Sequence, residues 1–303
     1  MPEPYDVLVI GTGVTGLSAA RQSLRDGLVT ATMESLFFGG LVTNINELDG
    51  EFSGSGSDLA AGLMMQITKL GVKNLSAVAQ AIERDGELLV VKSDAGSHRA
   101  RSVIIASGAR LKRLGVPGEA ELEEKGVSRC ADCDGPFYQG QDVVVVGGGD
   151  SALQEAIVLT EFARTVHLVH RGAKFRAQQH LVDRLGGHSN VEVHLNVQIE
   201  AVLGDKAVRA VRFRGGAELS CTGLFAYIGL EPESGFVPEA IRRDAAGCIE
   251  TDSSLQTSMP GVFAAGAVRS GYGGLLSHAT AEGMAAAISA AEYLGRQPAN
   301  PVR

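Results

Sequence analysis

The stretch Val7-Leu-Val-Ile-Gly-Thr-Gly-Val-Thr-Gly16 determines how the rest of the chain is interpreted. Its four apolar residues predict a buried strand, and the small and apolar residues that follow predict a helix packed on a sheet. A G-x-G-x-x-G motif between strand and helix binds a dinucleotide: its glycines permit the turn, the approach of a pyrophosphate and close helix packing. The phosphates rest on the helix N-terminus. The predicted contact residues are Gly11, Gly13, Val14, Thr15 and Gly16.

An acid closes the next predicted strand. Glu34 follows residues 29–33 at the distance suited to gripping a ribose 2′-hydroxyl. The first nucleotide is therefore expected to carry a non-phosphorylated adenosine.

A second glycine fingerprint begins in the middle of the chain. It follows the apolar residues 142–146 and precedes a second apolar helical pattern. Alanine replaces its third glycine, which the motif tolerates. The predicted contact residues are Gly147, Gly149, Asp150, Ser151 and Ala152.

The strand after this second fingerprint ends in basic residues where an acid would be expected. The chain reads His170-Arg-Gly-Ala-Lys-Phe-Arg176. An acid would repel a 2′-phosphate, whereas guanidinium groups bind one bidentately, so the second nucleotide is predicted to be NADPH rather than NADH. A solvated basic turn is the alternative interpretation. The predicted contacts are His170, Arg171 and Arg176.

Two cysteines lie just before the second fingerprint. The spacing of Cys130 and Cys133 suits a redox pair or half of a zinc site. Zinc would need a second closely spaced pair, whereas Cys221 and Cys248 lie far apart in the sequence, so they are predicted to be small buried hydrophobes. The arrangement therefore predicts electron transfer between two dinucleotides and a disulfide.

Two histidines on one predicted strand also invite a metal interpretation. His167 and His170 are three residues apart, and on a strand such residues face opposite ways. We interpret both as structural or phosphate-side residues, and no metal site is predicted.

Composition limits the class of protein. The chain has 303 residues, 45% hydrophobic residues, 39 glycines and four cysteines, which favours a two-domain α/β protein in a reducing compartment. The net charge of −8 argues against a nucleic-acid or membrane partner. No targeting segment is visible, so a cytoplasmic location is expected.

Taken together, the motifs resemble the low-molecular-weight thioredoxin reductases of the pyridine nucleotide-disulfide oxidoreductase family over nearly the whole chain. The resemblance implies two Rossmann-like three-layer α/β domains: a discontinuous FAD domain, residues 1–113 and 245–303, and an inserted NADPH domain, residues 114–244, that carries the redox pair. It also implies a homodimer and a thioredoxin or thioredoxin-like partner. The elements that carry it are Gly39-Gly40, Ala106-Ser-Gly-Ala109, Cys130-Ala-Asp-Cys-Asp-Gly135, Gly147-Gly-Gly-Asp-Ser-Ala152, His170-Arg171 with Phe175-Arg-Ala177, and Pro260-Gly-Val-Phe-Ala-Ala-Gly266.

The resemblance also implies roles for the redox residues. NADPH would pass hydride to the flavin, which would reduce the disulfide of Cys130 and Cys133. By the family pattern Cys133 lies nearer the flavin, Cys130 attacks the substrate, and Asp134 is the acid–base residue. Because the attacking group must be a thiolate, a nearby proton acceptor matters. The further FAD residues implied are Gly40, Leu41, Ser107, Gly108, Ala109, Gly266, Ala267, His278 and Ala279.

The chain departs from the family pattern at several of these positions. Ala267 stands where an aspartate holds flavin ribityl hydroxyls, and Leu41 replaces a glutamine that approaches the flavin. The family's Arg-Gln-Ala is Ser277-His-Ala279 here, so His278 is expected either near the flavin or packed at the helix start. Gly172 replaces the second arginine of the phosphate clamp, which weakens the expected preference for NADPH.

Two other activities of the same fold stay open at this point. The first is a flavin dithiol oxidase that forms a disulfide in a small molecule or peptide and passes electrons to oxygen. The altered flavin contacts and His278 favour it, whereas the basic cluster and Asp134 do not. The second is a ferredoxin-dependent thioredoxin reductase, which would have an occluded nicotinamide site.

Asp132, between the two cysteines, generates a prediction. Its carboxylate disfavours the neighbouring thiolates by like-charge repulsion. Asp132→Thr should therefore lower the apparent thiol pKa of the reduced pair, measured as the rate of alkylation against pH. A profile that does not move on substitution contradicts this expectation.

Overall fold

A computed structural model describes residues 3–35, 37–45, 48 and 52–295; the ends of the predicted FAD domain, residues 1–2 and 296–303, lie outside this range. Among the described residues, three short 3-10 helices span Gly40–Asn44, Gly135–Tyr138 and Gly266–Val268. The described residues form six α-helices: α1 (Val14–Arg25), α2 (Gly56–Lys69), α3 (Ala131–Asp134), α4 (Asp150–Leu159), α5 (Gln179–Gly186) and α6 (Leu276–Tyr293). They also form seventeen strands: β1 (Tyr5–Ile10), β2 (Thr30–Glu34), β3 (Lys73–Ser76), β4 (Ala79–Asp85), β5 (Leu88–Ser93), β6 (Gly96–Ile105), β7 (Ala109–Leu111), β8 (Val127–Ser128), β9 (Asp142–Gly147), β10 (Thr165–His170), β11 (Val191–Leu195), β12 (Ile199–Leu203), β13 (Ala210–Phe213), β14 (Glu218–Ser220), β15 (Gly223–Tyr227), β16 (Leu230–Pro232) and β17 (Val262–Ala264).

The chain divides into two compact units, residues 1–110 with 231–303 and residues 111–230. Residues 231–244 were assigned from sequence to the inserted domain, but they group with the first unit. There Val237 and Ile241 are buried in a core with Val262, and Ser107 Oγ donates a hydrogen bond to the Glu233 carbonyl at 2.7 Å. The cofactor that each unit binds stays a prediction at this stage.

The first unit is built on a seven-stranded sheet in the order β3-β2-β1-β6-β5-β4, with β17 also paired to β6. All neighbouring strands pair in parallel among β3, β2, β1, β6 and β17. Strand β5 pairs antiparallel with β6, and β4 pairs antiparallel with β5. Alternate residues of β1 point to opposite cores: Val7 and Val9 pack with the helices, and Leu8 and Ile10 pack on the other face. This double burial explains the continuous apolar run in the sequence.

The second unit repeats this plan on a smaller scale. Its five-stranded parallel sheet has the order β11-β10-β9-β15-β8, and β12, β13 and β14 form a separate antiparallel sheet. Val143 and Val145 of β9 pack in the core that holds α4, while Val144 and Val146 pack in the core beside the antiparallel strands. The mixed α/β fold predicted from the sequence is therefore confirmed. Among the described residues, no helix is long and apolar enough to cross a membrane.

Helices α1 and α6 approach closely enough for a single methyl group to matter. A Cβ at Gly283 of α6 would lie 2.2 Å from the Thr15 carbonyl oxygen, whereas one at Gly62 of α2 would meet none of the described residues within 4 Å. Gly62→Ala should stabilise the protein by about 1 kcal/mol, because alanine is the better helix former. Gly283→Ala should instead destabilise it by about 1–3 kcal/mol through overpacking. The check is the urea midpoint of both variants; equal midpoints would contradict the packing argument.

Candidate active site: two nucleotide sites and a redox disulfide

The predicted FAD residues converge at one edge of the first sheet. Gly11 follows β1, Glu34 closes β2, Ser107 follows β6, and Gly266 follows β17. Because these four strands are parallel, their carboxyl ends meet at the same edge, which is where ligands bind in such sheets. The sequence therefore found residues that the fold brings together from four separate segments.

The first fingerprint is shaped by close contacts between backbones. Gly11 has φ +97°, and a Cβ there would lie 2.3 Å from the Ala106 carbonyl oxygen. A Cβ at Gly16 would lie 2.0 Å from the Gly11 carbonyl oxygen. Helix α1 begins at Val14 after Gly13, and no side chain caps it. Its first backbone N–H groups therefore suit the pyrophosphate of FAD.

Glu34 lies beside this turn as predicted. Its carboxylate accepts hydrogen bonds from the Thr12 N–H at 3.2 Å, from the Thr12 hydroxyl at 3.3 Å and from the Ser35 N–H at 2.9 Å. The carboxylate is thus fixed at the end of β2, where an adenosine ribose is expected. These residues fit the adenosine diphosphate portion of FAD.

A second group of predicted FAD residues surrounds the start of α6. Gly266 has φ +75°, and a Cβ there would lie 2.4 Å from the Thr15 hydroxyl oxygen. Its N–H donates to Glu282 Oε2 at 2.8 Å, and the same carboxylate forms a largely buried ion pair with Arg269. Helix α6 and the segment after β17 are thereby tied to the first turn of α1. The predicted residues in this region are Gly266, Ala267 (half-buried), His278 (exposed) and Ala279 (buried).

The ring of His278 lies against the glycine-rich stretch before α6. A Cβ at Gly273 would be 1.9 Å from His278 Nδ1. This contact matches packing at the helix start, one of the two expectations for His278. Contact with the flavin by His278, by Ala267 or by the exposed Leu41 stays a prediction.

The second unit contains a cavity of about 550 Å³. Every residue predicted to contact NADPH lines it. Two further basic residues of the lining, Lys112 and Arg214, were not predicted, because they are distant in sequence from the fingerprint. The predicted residues that line the cavity are Gly147, Gly149, Asp150, Ser151, Ala152, His170, Arg171 and Arg176.

His170 is buried between Gly148, which lines this cavity, and Gly172. A Cβ at Gly148 would lie 2.3 Å from His170 Nδ1, and one at Gly172 would lie 2.8 Å from His170 Nε2. Burial lowers the pKa of His170, and the neighbouring Arg176 and Arg171 lower it further. The imidazole therefore favours its neutral form, so the arginines supply the fixed positive charge.

Hydrogen bonds hold the basic segment against the second fingerprint. The Arg176 N–H donates to the Gly148 carbonyl at 2.7 Å. Asp150, at the start of α4, accepts from the Gln178 N–H at 2.8 Å and from its side-chain amide at 2.7 Å. These contacts place Arg171 and Arg176 at the cavity wall, where a 2′-phosphate is expected.

The cysteines form the Cys130–Cys133 disulfide within the second unit. Cys130 is the N-cap of the single turn α3 and Cys133 lies within that turn, where its N–H donates to Cys130 Sγ at 3.2 Å. Cys133 is exposed, whereas Cys130 and Asp134 are half-buried. Because disulfide sulfurs offer no thiolate ligands, the structure supports the redox pair rather than a zinc site.

The other two cysteines differ from each other. Cys221 is 3% exposed, and burial raises its pKa to about 12, so it is the small buried hydrophobe that was predicted. Cys248 is only half-buried, and its N–H donates to Asp244 Oδ1 at 3.0 Å. The prediction of full burial was wrong for Cys248, because it lies in a surface turn.

One residue beside the disulfide escaped the sequence analysis. Glu155 of α4 accepts hydrogen bonds from the Ala131 N–H at 3.1 Å and from the Tyr227 hydroxyl at 3.0 Å. Ala131 follows Cys130, so this carboxyl group anchors the redox turn to α4. The available signal was periodicity: Glu155 shares the buried face of α4 with Ala152 and Ala156, where a charged residue is unexpected.

Comparison with known proteins agrees with this architecture. The pattern of the pyridine nucleotide-disulphide oxidoreductase family matches residues 5–283. The chain is 36% identical to a thioredoxin reductase of Treponema pallidum (strain Nichols), over 97% of this chain and 98% of the relative. It is 36% identical to a thioredoxin reductase of Mycolicibacterium smegmatis, over 97% of each chain. The crystal structure of Lactococcus lactis thioredoxin reductase matches with a TM-score of 0.92 and 33% identity, over 96% of this chain and 99% of that chain.

The chain therefore belongs to the pyridine nucleotide-disulphide oxidoreductase family. Within that family it is a flavoprotein oxidoreductase of the thioredoxin reductase type, with FAD and NADPH as cofactors. The resemblance inferred from the sequence motifs is confirmed.

Glu155 makes the stability of the protein depend on pH. Burial raises the pKa of this carboxyl group. As the pH rises past the ordinary pKa of a glutamate, Glu155 therefore loses its proton in the unfolded chain before it does so in the native protein. The native state then binds more protons, and its stability falls across that window. Glu155→Gln removes this loss, so its stability relative to the unmodified protein should rise between about pH 5 and about pH 8.

The measurement is the urea midpoint of both proteins at the two pH values. Glu161→Gln, which neutralises an exposed glutamate just beyond the same helix, is the matched control and should show no such rise. If the two variants respond alike to pH, the argument from burial fails.

Proposed function

We propose that the protein is an NADPH-dependent thioredoxin reductase. The observation that carries this proposal is the presence, in one unit, of a CxxC disulfide with an exposed Cys133 and of a nucleotide cavity lined by basic residues. The relatives named thioredoxin reductase support it, because the similarity extends over nearly the whole of both chains. Thioredoxin or a thioredoxin-like protein is the proposed substrate.

In this proposal the first unit, residues 1–110 with 231–303, binds FAD, and the second, residues 111–230, binds NADPH. Bound FAD would relay a pair of electrons from NADPH to the Cys130–Cys133 disulfide. The phosphates of FAD would rest on the N-terminus of α1, and Glu34 would accept hydrogen bonds from the adenosine ribose. The 2′-phosphate of NADPH would pair with Arg171 and Arg176, with Arg214 on the same cavity wall.

The substrate half of the reaction uses only side chains of the redox turn. The Cys130 thiolate attacks one sulfur of the substrate disulfide and displaces the other as a thiolate, which gives a mixed disulfide. Cys133 then attacks Cys130, reforms the Cys130–Cys133 bond and releases the second substrate thiolate. Asp134 accepts a proton from a protein thiol and delivers a proton to a leaving sulfur. The two electrons gained by the substrate are those stored in the dithiol.

We also propose that the protein is a cytoplasmic homodimer. Both assignments rest on the resemblance to the family, and the cytoplasm is a reducing compartment in which a dithiol reductase operates. Size-exclusion chromatography with light scattering is the direct measurement of the dimer.

The open cavity favours NADPH over ferredoxin as the electron source. A ferredoxin-dependent enzyme of this fold is expected to occlude its nicotinamide site, yet here the cavity extends from the second fingerprint to Arg214. The altered positions Ala267 and His278 are the features that would suit a dithiol oxidase. The competing activities are therefore separable by which molecule reduces the flavin and which molecule reoxidises the dithiol.

The test is an anaerobic titration of the purified yellow protein with NADPH and, separately, NADH. Flavin absorbance should bleach rapidly with NADPH, and added oxidised thioredoxin should restore it as thioredoxin thiols form. If neither nucleotide bleaches the flavin, the proposal is overturned. If NADPH bleaches it but only oxygen restores it, the dithiol oxidase replaces the reductase.

Arg171→Ala provides the matched variant for the same titration. Loss of one charge-assisted contact to the 2′-phosphate should raise the NADPH concentration needed for half-bleaching by about 10- to 100-fold. The NADH requirement should stay the same, because NADH lacks that phosphate. An equal effect on both nucleotides would mean that Arg171 does not contact the 2′-phosphate.

A further inference from the structure

Three side chains that the proposed function does not use lie together on the second unit. His167 is in β10, and Glu192 and His194 are in the neighbouring parallel strand β11. His167 pairs with Glu192 in the register, and His194 lies two residues further along, so all three side chains project from the same face of the sheet. The alternate residues Val166 and Val191 pack on the opposite face, against the helices.

The spacing of the three groups matches a metal coordination sphere. His167 Nδ1 lies 3.2 Å from Glu192 Oε2 and 3.3 Å from His194 Nε2. The ligand atoms of all three residues lie within 4.8 Å of one another. Ligands about 2.0–2.1 Å from a tetrahedral zinc ion are about 3.3 Å apart, so His167 already sits at the required distance from both partners.

Hydrogen bonds alone satisfy these three side chains less well than a shared cation would. Nδ1 of His167 carries a proton for Glu192 or a lone pair for His194, and it cannot serve both partners at once. Burial lowers the pKa of His167, which disfavours the imidazolium that would pair with the glutamate. A neutral imidazole is instead the form that ligates metals. A cation would satisfy all three groups together.

We propose that His167, Glu192 and His194 bind one divalent transition-metal cation of the zinc class. Two imidazoles and a carboxylate suit Zn²⁺, Co²⁺, Ni²⁺ or Cu²⁺, whereas Mg²⁺ and Ca²⁺ prefer oxygen ligands alone. His167 is 8% exposed in its side chain and Glu192 is 62% exposed, so the site has a buried floor and an open entrance. The open side leaves a coordination position for water or for an external ligand.

The position of the site gives the cation a structural effect. β11 is an edge strand that pairs only with β10 within its sheet, so a shared ion would cross-link the edge to the interior. β10 leads directly into Arg171, and β11 leads into Val197; both residues line the nucleotide cavity. Metal binding should therefore stabilise the second unit at the rim of that cavity, whether or not thioredoxin is the substrate.

The experiment uses the oxidised holoenzyme, free of any affinity tag and stripped of metal with a chelator. Keeping Cys130 and Cys133 in their disulfide prevents the thiolates of these two residues from binding the ion. Zn²⁺ is titrated calorimetrically against a competing chelator, and thermal unfolding is followed with and without Zn²⁺. We expect one ion per chain and a Zn²⁺-dependent rise in Tm.

Glu192→Gln and His194→Gln each remove a ligand that is not fully buried. Each should weaken Zn²⁺ binding at least about tenfold and reduce the Tm rise, as expected when a ligand is lost. His180→Gln, at an exposed position of α5, is the matched control and should bind Zn²⁺ like the unmodified protein. Zinc-edge X-ray absorption should show nitrogen and oxygen ligands at about 2.0–2.2 Å and no sulfur at about 2.3 Å.

Three results would overturn the proposal. These are no saturable binding by the unmodified protein, equal binding by all four proteins, or sulfur ligation of the ion. In the first case His167, Glu192 and His194 form a hydrogen-bonded cluster only. None of these outcomes depends on reductase activity, so failure of the metal site and failure of the proposed function are distinguishable.

Discussion

The carbonyl oxygen of Gly11 occupies the space that any side chain at position 16 would require. A Cβ at Gly16 would approach it to 2.0 Å, and a Cβ at Gly283 would approach the Thr15 carbonyl to 2.2 Å. Both contacts fix the first turn of α1, one against the end of β1 and the other against α6. Gly11 lies against Ala106, and Gly266 lies against Thr15 of α1, so predicted FAD residues from separate segments are placed against this helix terminus where a side chain would not fit.

In the second fingerprint a glycine again leaves space for a close neighbour, but here the neighbour is a side chain rather than a backbone carbonyl. The middle glycine of that fingerprint, Gly148, makes room for the imidazole of His170. Gly172 continues that packing, since a Cβ there would lie 2.8 Å from His170 Nε2. The glycine at the second clamp position is therefore coupled to the placement of His170. Arg214, which directly follows β13 of the antiparallel sheet, adds a further basic side chain to the lining of the same cavity.

Features formed by residues close in sequence were predicted, whereas features that depend on contacts between distant parts of the chain were missed. The two fingerprints, Glu34 and the basic cluster could be predicted because each nucleotide motif is contained in one continuous strand–helix–strand segment or the turn directly after it. Residues 231–244 were assigned to the inserted domain from the family resemblance, whereas Val237 and Ile241 are buried in the core of the first unit. A local pattern does not reveal which core an apolar residue joins.

The histidines illustrate the same limit. The rule that residues three apart on a strand face opposite ways correctly separated His167 from His170. The partners of His167 lie instead on β11, and only the pairing of the two strands reveals them. Arg214 was missed for the same reason, because its part in the cavity depends on how the antiparallel sheet packs. Contacts between residues on different strands, in the His167 cluster as in the nucleotide cavity, are therefore not predictable from one sequence.

The redox turn combines groups that act in opposite directions on a thiolate. The N–H of Cys133 points at Cys130 Sγ and favours negative charge there, whereas the carboxylates of Asp132 and Glu155 oppose it. Burial raises the pKa of Glu155, and a protonated Glu155 places less negative charge beside the thiol pair. The anchoring of the turn and the reactivity of its thiols therefore depend on the same buried carboxyl group. Glu155 both anchors the redox turn and titrates. Its protonation state therefore affects the position of the turn and the charge beside the two cysteines.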